Sequence, residues 1–347
     1  MVIRIWVIPD YNPVMWPLQR LILSALAVTL LTQCATRTGL QTNTVRETRL
    51  TSLGYEPLRL KRTAGDSRYS GLFTVNSRKV RLLIDSGANS TDLNYDLARA
   101  CGITPEESVK VVSRGALGRP VTSSVGLGAL GAGNVTAAPF PFMLAPPSKR
   151  HTATSRYDGQ LGIDALNGLA SLVDLRMGTL WIPGPQAGNT KRGSITALGR
   201  QKGLGIHTLP LEPAGRLPHL LVGCRYKDRR LTWVVDTGAE VTVMAAESAK
   251  RLGIPSMASR SKIIDASGDR ASVRSALISN LLFGRLLVRK FEVAVTPLGP
   301  IRDTFRDRSG RPVDGIIGMD FLKESSALLD TASRLLYLGD SPAENEG

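Results

Sequence analysis

Two short stretches carry the residues most able to do chemistry: "VRLLIDSGANSTDL" (80–93) and "LTWVVDTGAEVTVM" (231–244). In each, an apolar alternation ends at an aspartate, Asp85 or Asp236, followed by a hydroxyl residue and a glycine (Ser86-Gly87, Thr237-Gly238). Aspartate is disfavoured inside strands, so its recurrence at the end of two hydrophobic strands calls for a reason. Glycine two positions on lets the backbone turn sharply and approach another segment closely. The hydroxyl between them can bond across to a facing loop. If the two turns meet, the carboxyls cannot both ionise and must share a proton. One then serves as general base towards water while the other, protonated, polarises a carbonyl. That pair would hydrolyse an amide without metal or cofactor.

The elements that must position such a pair are themselves repeated. Asp85 aligned on Asp236 requires no gap from Val75 to Ile103 against Tyr226 to Ile254. Val80, Leu82 and Ile84 superpose on Leu231, Trp233 and Val235, a period of two that marks half-buried strands. "DLARACGI" superposes on "ESAKRLGI", short amphipathic segments stopped at Gly102 and Gly253. Cys101 and Cys224 fall on Leu252 and Phe73, so both read as core positions. A second ungapped block lies downstream: "YDGQLGIDALNGLASLVDLRMGTLWI" (157–182) against "VDGIIGMDFLKESSALLDTASRLLYL" (313–338). Its recurring aspartates, Asp164 with Asp320 and Asp174 with Asp330, suit turns and caps.

With both turns and both apolar-glycine blocks in place, the chain resembles an aspartic peptidase of the pepsin/retropepsin group, in particular the bacterial retropepsin-like proteins with "DTGA" and a later "GIIGMDFL". The resemblance covers most of residues 57–338. It implies an all-β, two-lobed acid-protease fold with short helices and internal duplication. It further implies Asp85 and Asp236 as the catalytic pair of an endopeptidase, Ser86 and Thr237 bracing the loops, and Gly87 and Gly238 shaping them. Asn89 and Glu240 stand where retropepsins often place an acidic residue that holds substrate backbone. Ala88 and Ala239 follow the retropepsin pattern. The tyrosine of the pepsin flap is missing, since none lies between Tyr95 and Tyr157. The candidate flaps are instead "SRGALGRP" (113–120) and "DASGDR" (265–270). An alternative from another class is an exported peptide-binding or scaffold lipoprotein that kept the fold without turnover.

Composition narrows the remaining classes. The net charge of +15 comes without a dense Lys/Arg run or interleaved aromatics, which disfavours nucleic acid as a partner. His151, His207 and His219 lie far apart, and three cysteines form no paired motif, so neither a metal site nor a disulfide framework is expected. "GLGALG" (126–131) matches a dinucleotide-binding pattern literally, yet the residues after it are rich in valine, threonine and proline rather than helix-forming; it reads as a loose hairpin. No cofactor is expected, and a peptide or protein is the expected substrate.

Residues 1–34 read as a signal peptide, with Met15 a natural start, Arg20 before the apolar run Leu21–Leu31, and Cys34 at its end. The segment resembles a bacterial lipoprotein signal, Leu31 and Cys34 standing at the lipobox leucine and lipid-accepting cysteine, with Gln33 a departure from the usual small residue. This implies export to the periplasm or to a membrane through a lipidated Cys34. Residues 35–56 read as a polar tether, 57–183 as the first lobe, 184–204 as a linker, 205–339 as the second lobe and 340–347 as a tail. A Cys34→Ala variant should move from the membrane to the soluble periplasmic fraction, because acyl chains supply most of the anchoring free energy. Wild-type protein already soluble after fractionation would show an ordinary signal peptide instead.

Overall fold

The computed structural model describes residues 6–8, 46–145, 157–185 and 206–339. These residues form an all-β, duplicated architecture of three sheets. The first lobe's sheet has seven strands, in the order Ser70–Val75, Arg78–Ile84, Gly159–Leu161, Asp92–Asn94, Val135–Ala145, Pro120–Ala132, Pro105–Arg114. The second lobe's sheet repeats this order from Leu217–Tyr226 through Arg229–Val235, Gly315–Ile317, Val243–Ala245, Leu286–Thr296 and Arg270–Phe283 to Met257–Ile264. Strands Trp6–Ile8 and Glu212–Ala214 extend its two edges.

The arrangement around each Asp strand is rooted in the sequence. Arg78–Ile84 alternates outward charge with buried Val80, Leu82 and Ile84 after a tight turn at Asn76 and Ser77, both with positive φ. It runs parallel to Gly159–Leu161, as Arg229–Val235 runs parallel to Gly315–Ile317. The apolar-glycine blocks are thus the strands that flank the Asp strands. Their glycines are required by a backbone crossing: a Cβ on Gly159 would lie 2.0 Å from the Asp92 carbonyl oxygen, and one on Gly315 would lie 2.3 Å from that of Val243. Helices Tyr95–Ala100 and Ala246–Leu252 stop where expected, at Cys101-Gly102 and Gly253, with φ of 73° and 65° at the two glycines.

The third sheet joins the halves. Its order is Ile206–Pro210, Leu335–Gly339, Leu328–Asp330, Leu172–Asp174, Thr179–Pro183, Tyr55–Arg59, so strands from both lobes share one ladder. Leu172 pairs with Asp330 and Val173 with Leu329 at the pseudo-symmetric seam. One apolar core runs through this sheet into both lobes, with Val173, Leu180, Leu329 and Leu336 fully buried.

The fold corrects two expectations. Residues 46–56 are not tether: 46–52 are helical, Leu50 is fully buried, and Tyr55–Arg59 is a strand of the joining sheet. The lobe boundaries at 57–183 and 205–339 cut across that sheet, to which both halves contribute. "GLGALG" does lie in a hairpin, as expected: it is part of the arm Pro120–Ala132, which pairs with Val135–Ala145 and is interrupted by a bulge between Gly128 and Leu130. The signal segment with Cys34, most of the linker and the tail lie outside the described residues.

Arg46 fastens the 46–52 helix. Its guanidinium is buried, bonds Asp174 Oδ1 at 3.1 Å in the first half and reaches the Ser326 carbonyl at 3.4 Å in the second. Asp174 also accepts from the Arg176 and Met177 amides, at 3.2 and 3.0 Å. Arg46→Ala leaves a buried carboxylate without its cation and should cost about 3–5 kcal/mol. Urea unfolding would read it, and a loss below about 1 kcal/mol, the range of an exposed pair, would show that this contact does not fasten the halves.

Candidate active site

Asp85 and Asp236 stand at the ends of the two central strands, each amide bonded at 3.0 Å to the flanking strand, to Leu161 O and Ile317 O respectively. Both residues are wholly removed from solvent. The turns after them interlock. The Ser86 amide donates to Thr237 Oγ1 at 3.0 Å and the Thr237 amide to Ser86 Oγ at 3.1 Å. Each hydroxyl in turn donates to the opposite strand: Ser86 Oγ to Val235 O and Thr237 Oγ1 to Ile84 O, both at 2.9 Å. Both hydroxyls and both amides of the crossing therefore have partners in the other half, as their burial demands.

The glycines explain how the carboxyls come so close. A Cβ on Gly87 would lie 2.4 Å from Asp236 Cγ, and one on Gly238 would lie 2.4 Å from Asp85 Cγ. Each carboxyl thus rests on the other turn's glycine, and no larger residue fits beneath it. Gly87 N–H donates to Asp85 Oδ1 at 3.0 Å, and Gly238 and Ala239 N–H donate to Asp236 Oδ1 at 2.8 and 3.1 Å. Ala239 thus contributes its backbone amide at the place where no side-chain hydroxyl exists. Asp236 Oδ2 has no partner among the described residues. Burial, and next the charge of Asp85, push the Asp236 carboxyl well above its ordinary range, against the pull of the Gly238 and Ala239 amides and of Arg68. One proton held between the two carboxyls satisfies that balance.

Two residues that sequence reasoning passed over hold the turns from outside. Arg68, 1% exposed, sends Nη1 to the Gly238 carbonyl at 3.4 Å. It is fixed by Asp66 through Nε–Oδ1 at 2.8 Å and Nη2–Oδ2 at 2.6 Å. Tyr157 donates its hydroxyl to the same carboxylate at 2.8 Å. Burial alone would raise Asp66; the Arg68 bonds and charge outweigh it and hold the carboxyl down at about 2. In the second half, His219 Nε2 lies 3.0 Å from the Gly87 carbonyl, the ring packed edge-on to Phe305 at 4.4 Å. Arg68 and His219 are equivalent positions when the ungapped repeat is continued upstream of Val75, and each supports the other lobe's turn. That continuation was the available signal.

The remaining sequence-derived positions separate clearly. Glu240 Oε1 lies 3.8 Å from Arg68 Nε, while Asn89 Oδ1 is buried with no partner among the described residues. Asp164 accepts from Thr91 N–H and Oγ1 (3.0 and 2.8 Å), and Asp320 from Thr242 N–H and Oγ1 (2.8 and 2.7 Å). These are turn-locking roles outside the crossing. Cys101 and Cys224 are buried thiols, and burial pushes Cys224 up to about 12.

The two glycine-bearing stretches are the tips of long hairpins, closed by the pairs Arg114–Pro120 and Ile264–Arg270. The tips touch: Leu117 N–H donates to Asp265 Oδ2 at 2.8 Å, and Arg119 pairs with Asp269 at 3.3 Å. Ala116 is fully buried in an apolar cluster of the second lobe with Ala239, Leu298, Ile301, Phe305 and Ile316. The tips thus meet on the side of Ala239, the residue after the second Asp-Thr-Gly turn.

Comparison with a family model agrees with this construction. A family model described as aspartyl protease matches residues 72–165 and again 222–321, one match per half. Among solved structures, the chain is similar to an aspartic proteinase from Irpex lacteus, at 16% identity and TM-score 0.49, over 83% of this chain and 98% of that one. It is also similar to basic 7S globulin from soybean, at 11% identity and TM-score 0.45, over 85% and 97% of the two chains. No curated protein matches.

The raised Asp236 fixes the sign of a pH effect on stability. Well below pH 3.8 its carboxyl is neutral folded and unfolded alike. As pH rises the unfolded chain ionises first, so the stability contributed by the neutral form is lost up to the folded pKa. Asp236→Asn, neutral throughout, should gain in Tm relative to wild type between pH 3.8 and neutrality. A Tm difference that does not change with pH would show that Asp236 ionises as in water.

Proposed function

We propose that this chain, which belongs to the aspartyl protease family, is an endopeptidase that hydrolyses peptide bonds with a water activated by Asp85 and Asp236. The observation that carries the reading is the mutual seating of the carboxyls, each against the other turn's glycine and both out of water. A structural aspartate pair would gain nothing from this arrangement, which opposes two like charges at low dielectric.

The reaction rests on the shared proton. An extended peptide lies in the cleft under the hairpin tips and bonds through its main chain, as strands do. Asp236, held neutral, donates its proton to the scissile carbonyl oxygen. The ionised Asp85 takes a proton from water as the water oxygen bonds to the carbonyl carbon, giving a neutral gem-diol. The proton on Asp85 then passes to the amide nitrogen, the C–N bond breaks, and a hydroxyl proton of the diol returns to Asp236. Carboxylic acid and amine leave, and the dyad keeps its single proton. Ser86, Thr237, Arg68 and His219 act by holding the turns, not by touching substrate.

The proposal includes export, supported by the apolar run Leu21–Leu31 and by Cys34 in the sequence. Asp85→Asn and Asp236→Asn should each lower kcat/KM on a peptide library by about 10³-fold or more, with the double variant no worse, since the residues act as a unit. Circular dichroism should report an intact fold. Either single variant keeping more than about a tenth of the activity, a loss under about 1.4 kcal/mol, would overturn the assignment. Peptide binding without cleavage by wild type would favour the non-catalytic alternative.

A further inference from the structure

The lobes differ at one pair of equivalent positions beside the dyad. Gln160 in the first half corresponds to Ile316 in the second. Gln160 pairs with Leu83 on the strand that ends at Asp85, as Ile316 pairs with Val234 on the strand that ends at Asp236. Leu82, Ile84 and Leu161 point into the main core, so the period of two turns Leu83 and Gln160 to the opposite face. In the second lobe that same face carries Val234 and Ile316, which pack with Ala239 of the active-site turn and Ala116 of the hairpin tip. By the repeat, the face with Leu83 and Gln160 holds the matching place beside the first Asp turn. The pair of faces is apolar on one side of the dyad and carries a carboxamide on the other.

That carboxamide is fully buried, and neither Gln160 Nε2 nor Oε1 has a hydrogen-bond partner among the described residues. Asn89 Oδ1, just beyond the first turn, is in the same condition. A buried amide without partners costs several kcal/mol relative to water, and leucine or isoleucine would avoid the cost. Retaining it is worthwhile where a ligand supplies the missing bonds. Building on the endopeptidase reading, we propose that Gln160 determines specificity: the pocket on the first-lobe side of the scissile bond selects an asparagine or glutamine side chain. A second carboxamide pairs donor to acceptor and acceptor to donor, satisfying both atoms of Gln160. A lysine or arginine leaves the Nε2 protons unmet. A carboxylate leaves Oε1 unmet and adds negative charge beside the dyad, and an aliphatic chain leaves both atoms unmet.

The test is a peptide library varied at the two residues flanking the scissile bond. Wild type should prefer asparagine or glutamine over leucine and methionine at one of those positions, by about tenfold or more in kcat/KM. Gln160→Leu should abolish that preference and favour aliphatic residues there, leaving the other flanking position unchanged. Gln160→Met, nearer in shape, serves if the leucine variant does not fold. Absence of the preference in wild type, or its survival in the folded variant, overturns the proposal. If wild type cleaves nothing, the endopeptidase reading fails, and the pocket is judged by binding of matched glutamine and leucine peptides. Tighter binding of the glutamine peptide, lost in Gln160→Met, supports the pocket. Equal binding overturns it.

Discussion

Two carboxyl groups withdrawn from water and set against each other repel, and burial adds its own penalty to ionising either. The chain meets this with a crossing in which each turn's hydroxyl bonds the other half's backbone, twice over. Those bonds close only if both turns have the same shape, and that shape requires glycine at both 87 and 238. The flanking strands, the parallel pairings and the joining sheet answer the need to hold two such turns in register. The ladder Leu172–Asp174 against Leu328–Asp330 sits on the pseudo-symmetry seam for that reason, and carries the halves as one core rather than as two touching domains.

Duplication within one chain also permits what an assembly of identical halves does not. Equivalent positions have diverged around the symmetric centre: Arg68 against His219, Asn89 against Glu240, Gln160 against Ile316. The first pair keeps a common task, support of the opposite glycine carbonyl, by different chemistry. Arg68 brings a permanent positive charge, tied down by Asp66 and Tyr157, into the field felt by Asp236. The other half presents an imidazole to Gly87. The two carboxyls therefore lie in unequal surroundings although their turns are nearly alike. Unequal surroundings are how a dyad assigns acid and base roles.

Much of this was legible in the sequence because the repeat exposes it. Alignment of the two Asp turns placed the central strands, the glycine-stopped helices and the apolar-glycine blocks, and it identified Cys101 and Cys224 as core. What escaped was carried by residues whose types argue the other way. Arginine is seldom fully buried, so Arg46 and Arg68 read as surface charge until their carboxylate partners, Asp174 and Asp66, are seen beside them. Leu50 and Leu53, three residues apart in a threonine- and arginine-rich stretch, were the faint helical signal within the supposed tether. The joining sheet is made of short strands from both halves, and no local pattern declares a partner more than 150 positions away. The hairpin of "GLGALG" was legible, but its glycines do not make the turn. Gly126 and Gly128 instead make room for Ile103, which a Cβ at either position would crowd.

The hairpin tips pose a last physical question, how firmly they are held together. Polar and apolar contacts hold the tips together, and the half-buried Leu117 side chain packs on the same second-lobe cluster as Ala116. The Arg119–Asp269 pair is half exposed and contributes little, as surface pairs do. The Leu117 amide bond to Asp265 is charge-assisted and is worth about 1.5–3 kcal/mol. Ala116 buries only a methyl group against the second lobe, worth about 1 kcal/mol. Parting the tips releases Asp265 Oδ2 to water, while Oδ1 keeps the bonds of its own turn through Ser267 and Asp269. Opening is thus a matter of a few kcal/mol, within reach of loop motions on the microsecond-to-millisecond scale. A larger side chain at 116 would have more surface to bury against the second lobe, and the small residue there keeps the contact between tip and lobe weak.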